Sequence, residues 1–216
     1  MRRSRSSALA LLVMLGACHA PPMGPHACPA GPVVLAGQAD VAGLRGCPTV
    51  ASLTIRTGMT LELAPLASLV TIRGDLTIGP SIGLEEVSFV GLETVGGTVK
   101  VASNTMLHGL FLPKLTHASA VIVVGNVALA TLSMPRLAAV DGELTVADAS
   151  DLELIEASNL STLGGPLTIR NAPELALVEL GALVHVTAVA IEGVGKLPVE
   201  ARDRLRVLAA APEKSQ

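Results

Sequence analysis

The chain has 216 residues, half of them hydrophobic and 15% charged, with a formal net charge of −3. That length is enough for one domain with its own core, but Phe89 and Phe111 are its only aromatic residues, so Leu, Val, Ile and Ala must fill the interior. Beyond the N-terminus the apolar residues recur at intervals and never run for the ~18 positions that span a bilayer, which argues against a membrane helix bundle.

The first residues read as a targeting segment. Arg2, Arg3 and Arg5 form a basic region, Ala8 to Leu15 a short apolar one, and Leu15-Gly16-Ala17-Cys18 follows. Small residues before a cysteine resemble the bacterial lipobox. The resemblance implies a signal peptide over 1–17, a diacylated Cys18 as the first mature residue, and a membrane partner reached through that lipid anchor. The expected address is the bacterial cell envelope. His19 in place of Asp after the cysteine favours the outer membrane, with the periplasmic or surface face left open. Cleavage removes three arginines, so mature Lys+Arg is 15 − 3 = 12 against 18 Asp+Glu, a charge of −6. An acidic surface of this kind argues against nucleic acid and anionic headgroups as partners.

Residues 18–32 are rich in Pro and Gly and read as a tether, with His19 and His26 as solvated linker residues. With Cys18 assigned to lipid, Cys28 and Cys47 remain as an even pair in an oxidising compartment, so a disulfide between them is expected.

From residue 33 onward a repeat governs the pattern. Its anchor is Ile55, Ile78, Val101, Val123, Val146, Ile169 and Ile191, at intervals of 23, 23, 22, 23, 23 and 22. Two residues before each stands Leu53, Leu76, Val99, Val121, Leu144, Leu167 or Val189, an alternation that predicts a strand with one buried face. Leu61, Leu84, Leu107, Leu129, Leu152, Leu175 and Leu197 follow six residues after the anchors. Leu69, Leu92, Leu115, Leu137, Leu160 and Leu183 follow at fourteen, and Ile72, Val95, Ala118, Val140, Leu163 and Val186 at seventeen. Gly74, Gly97, Gly142 and Gly165 stand at nineteen, where a positive φ or a close backbone contact is expected. Asn104, Asn126, Asn171 and Asp148 fall two or three residues after an anchor, where a polar side chain satisfies turn backbone. Each unit buries its apolar residues only when stacked on its neighbours, so the prediction is a solenoid. Open ends of such a stack need covers. A short helix over Gln38 to Leu44 and an amphipathic helix over Pro198 to Leu208, with Ala201, Leu205 and Leu208 on one side, are placed to supply them.

The stretch 33–55, VVLAGQADVAGLRGCPTVASLTI, resembles the opening of a receptor L-domain repeat array, and the units at 95–107 and 132–152 resemble the same leucine-rich-repeat-like family. The likeness covers about 33–197. It implies a mainly β, right-handed solenoid of about seven coils, with a short parallel sheet on one face and helical caps at both ends. The domain then runs over 33–211, with a polar tail at 212–216. In receptors such domains bind protein ligands, but no ligand site maps onto this chain residue by residue.

Triad, zinc and phosphate-loop patterns are missing, and neither a metal nor a cofactor is expected. His117 and His185 share a repeat column three coils apart, roughly 14 Å at 4.8 Å per strand, too far to share an ion. The outward strand residues are Thr54, Thr77, Lys100, Ile122, Thr145, Thr168 and Ala190, then Arg56, Gly79, Ala102, Val124, Ala147, Arg170 and Glu192. The threonines form a single interrupted column, so a flat ice-binding array is not expected. Lys100, Ile122, Val124 and Arg170 are the candidate binding residues, with Ile122 and Val124 forming an apolar spot. The expected function is non-enzymatic presentation of the solenoid to an envelope or extracellular protein, or an envelope-structural role. The alternative is a carbohydrate- or cell-wall-binding module, although aromatic platforms for sugar are lacking.

Overall fold

In the computed structural model, residues 27–184 and 186–210 are described. The tether's first part, Cys18, His19, His26, His185 and the tail therefore lie outside the described residues. The chain forms a mainly β solenoid of about seven turns, with every strand pairing parallel. The main ladder runs through Val33–Leu35, Leu53–Ile55, Leu76–Ile78, Thr94–Ala102, His117–Val124, Leu144–Ala147, Leu167–Arg170 and Val189–Glu192. Its register is the sequence repeat itself: Leu53 pairs with Leu76 and Ile55 with Ile78, and Val146 pairs with Val123 on one side and Ile169 on the other. The anchor, +6, +14 and +17 columns are buried in all coils described, which makes one continuous aliphatic interior.

The sheet is not confined to one face. A second, five-stranded ladder joins Glu86–Ser88, Gly109–Phe111, Thr131–Ser133, Leu154–Glu156 and Leu177–Glu179. Its inward residues Val87, Leu110, Leu132 and Ile155 are buried, and Val178 packs partly buried against the core. A third set of short pairings links Thr49–Val50, Thr71–Ile72, the starts of the two long strands, Ala139–Val140 and Thr162–Leu163. The one-face expectation fails because a coil of 22 or 23 residues leaves its backbone three extended stretches. Stacking pairs all of them, since buried N–H and C=O groups need partners.

The glycine column at +19 is explained by close approach, with no positive φ at any of its four members. A Cβ on Gly97 would lie 2.2 Å from Asp75 Oδ1, and one on Gly165 would lie 2.7 Å from the Gly142 carbonyl carbon. Left-handed backbone occurs instead at +2, where Ser103, Gly125, Asp148, Asn171 and Gly193 have φ between 51° and 70°.

The helix Gln38–Ala42 lies at the N-terminal end of the stack and buries Val41. The Asp40 carboxylate accepts the Ala36 and Gly37 N–H groups at 2.9 Å each, which satisfies donors that open the helix. Those two bonds hold Asp40 below its ordinary pKa. Gln38 stands in for a strand: its amide donates to the Glu62 carbonyl at 3.0 Å and accepts the Glu62 N–H at 2.9 Å. Cys28 and Cys47 form the expected disulfide, tying the start of the domain to this end. At the other end, the helix Val199–Ala210 buries Leu205 and packs Ala201 and Leu208 against the core.

Candidate functional site

The main ladder sets its outward face by alternation. Lys100 and Ile122 stand opposite each other in register, with Thr77 and Thr145 completing the row. Lys100 is exposed and Ile122 half-buried. Val124 lies in the next outward row between Ala102 and Ala147. Ala102 and Ala147 flank Val124, and Lys100 and Thr145 flank Ile122, so the apolar spot is two side chains wide. Arg170 occupies the same row as Val124 but two coils further on, roughly 10 Å away at strand spacing. Its guanidinium faces Glu192 of the next coil at 3.5 Å. The face thus unites Lys100, Ile122 and Val124 and leaves Arg170 apart.

Several titratable side chains elsewhere link one coil to the next. His117 Nε2 lies 3.1 Å from both Asp141 carboxylate oxygens. Ser133 donates to Glu156 at 2.6 Å and Ser158 to Glu179 at 3.1 Å. Lys196 pairs with Glu174, and that hydrogen bond and charge, aided by Glu153, raise the lysine above its ordinary pKa. Among the described residues no group of three or more His, Cys, Asp or Glu is placed to hold a metal ion.

Two polar side chains lie wholly inside the stack. Asn126 Oδ1 accepts the Asn104 N–H at 3.0 Å and the Asn104 amide at 2.9 Å. The Asn126 amide donates to the Val101 and Val124 carbonyls, and the Asn104 amide to the Ile78 carbonyl. These asparagines satisfy corner backbone across coils, a structural role. Asn171 and Asp148 stand one position earlier, exposed, and bond each other at 2.7 Å.

Two open clefts that no sequence motif marks lie at the free edges of the second ladder. One lies beside Leu177–Glu179, walled by Ala201, Arg204 and Leu205 of the C-terminal helix. The other lies beside Glu86 and Ser88, facing Glu62, Leu63 and Ala64. The signal for that ladder was available in the alternations around Val87, Leu110, Leu132, Ile155 and Val178, nine residues after their anchors.

No protein-family model matches the chain, and no curated protein or solved structure matches it either. Among the described residues no helix is long and apolar enough to cross a membrane.

Proposed function

We propose that the chain is a non-enzymatic lipoprotein of the bacterial cell envelope, anchored through Cys18, that presents a receptor L-domain-like solenoid to an envelope or extracellular protein. The reading rests first on Leu15-Gly16-Ala17-Cys18 behind a basic and apolar leader. The Cys28–Cys47 disulfide supports it, since such bonds persist in oxidising compartments. The finer fold assignment, a right-handed stack of the L-domain type with its two helices as caps, draws support from the repeat length and from the packing of Val41 and Leu205.

The non-enzymatic part is supported by the lack of triad, zinc and phosphate-loop patterns in the sequence. Glu156, Glu179, Glu174 and Asp141 are each engaged in a coil-to-coil contact, whereas Glu62, Glu85 and Glu86 line one open cleft together, so a hydrolase or lyase activity lost on Glu85→Gln would overturn this part. The contact surface we favour is Lys100, Ile122 and Val124. An apolar pair beside one cation suits a protein partner better than a sugar, for which a flat aromatic platform is missing from this face.

Two measurements test the proposal. Cys18→Ala is expected to abolish acyl labelling, and unchanged labelling refutes the anchor. Co-purification from envelope extracts is expected to recover a protein partner that Ile122→Asp loses. Retention on isolated cell-wall polysaccharide, unaffected by Ile122→Asp, would favour the carbohydrate-binding alternative instead.

A further inference from the structure

The corner that follows the first strand of each coil carries an apolar ridge on the N-terminal half of the stack only. Met59, Ile82 and Val127 stand four residues after their anchors and Met106 five after its own, with Thr105 in the fourth place; the four are 58%, 66%, 48% and 43% exposed in that order. Three steps at strand spacing make the ridge roughly 14 Å long. In the next two coils the same corner carries Ser150 and Asp151, then Pro173 and Glu174. The change from apolar to polar side chains therefore follows position along the stack, while the backbone repeat continues unaltered.

We propose that this ridge rests in the surface of the lipid bilayer that holds the anchor. The inference rests on the lipoprotein reading given above. Cys18 precedes Cys28 by 28 − 18 = 10 residues, and the disulfide fixes Cys28 to Cys47 at the N-terminal end of the solenoid. Ten residues reach at most about 35 Å when fully extended, so the anchor holds this end of the stack within that distance of the bilayer and the opposite end, one stack length further along the solenoid, is under no such restraint. A row of Met, Ile and Val side chains inserts into the headgroup boundary by removing apolar area from water, and it adds a second contact to the acyl chains. Glu62 and Glu85 follow Met59 and Ile82 by three residues and are exposed, so the surface that fits is one of headgroups without net charge.

The chain contains no Trp, so a single introduced indole reports its own surroundings. The experiment places Ile82→Trp, and separately Val207→Trp, in the full acylated protein on phosphatidylcholine vesicles containing brominated acyl chains. Val207 is 64% exposed, close to Ile82 at 66%, but lies on the helix at the opposite end of the stack. The expected result is emission from Ile82→Trp that is blue-shifted and quenched by about half, with Val207→Trp unaffected. Acyl labelling at Cys18 with an unquenched, water-exposed Ile82→Trp overturns the docking and leaves the anchor intact. An Ile82→Trp shielded from aqueous iodide yet untouched by bromolipid places the ridge against a second copy of the chain, and also overturns it. Absence of acyl labelling removes the anchor reading, and the ridge proposal with it.

Discussion

Gly125 and Asn126 sit side by side in the corner after the first strand, and each answers to a different constraint. Gly125 has φ +70°, and a Cβ built there finds nothing closer than 3.7 Å, so the backbone alone resists a side chain. Gly125→Ala is therefore expected to cost about 1 kcal/mol, the ordinary penalty for left-handed backbone, measured by urea denaturation. Asn126 is fully buried and serves the backbone of two coils. Asn126→Ala strands the Asn104 N–H and the Val101 carbonyl away from water, so a larger loss of about 3 kcal/mol is expected. Equal losses at the two sites would mean that solvent reaches the corner. The sequence marks Asp148 and Asn171 at +2 and Asn104 and Asn126 at +3 alike as turn chemistry, and Gly125 carries no mark. The +2 column holds Ser103, Asp148 and Asn171 beside Gly125 and Gly193, and positive φ and exposure separate it from the buried column one residue later. A single chain displays residue types, and the same Asn serves in either place.

The leading strand of each coil was legible because its anchors are β-branched and separated by one outward residue. The second ladder was not read, although Val87, Leu110 and Leu132 repeat at the same interval. Its outward residues vary widely in polarity, from Glu86 and Ser88 to Gly109 and Phe111, which blurs the alternation. The C-terminal helix was readable from Pro198 at its start and its apolar side, and the N-terminal one was placed over Gln38 to Leu44, where Asp40 proves to stand in its first turn. Asp40 gives this short element a pH signature. Its folded pKa is depressed below 3.8, so its contribution is present above the unfolded value and is lost as pH falls through the folded one. The stability gap between the wild type and Asp40→Asn is expected at neutral pH and should close below about pH 4. A gap that is constant with pH would show that the carboxylate charge is not involved. The disulfide acts on the same end of the molecule. It spans 19 residues of sequence, a loop whose closure is worth about 3 kcal/mol in the chain-entropy picture, so Cys28→Ser with Cys47→Ser should lower the urea midpoint accordingly.

At the scale of the molecule, each described coil pairs with its neighbours through matched columns. A structure built this way is close to a sum of repeat and interface terms, and removing one whole repeat keeps every remaining interface in register. Deleting 147–169, which is 169 − 147 + 1 = 23 residues, joins Val146 to Arg170 and lets Ile191 stack on Val146 in place of Ile169. Leu175, Leu183 and Val186 then take the places of Leu152, Leu160 and Leu163, all aliphatic and all buried. The coil-deleted protein is expected to remain folded, with a parallel-sheet circular dichroism signature and one cooperative but lower thermal transition. Deleting only 147–157 should not fold, because it places polar turn residues in the aliphatic columns and carries every later side chain out of line. If the two deletions behave alike, folded or unfolded, then the stack does not owe its stability to neighbouring coils sharing one interior.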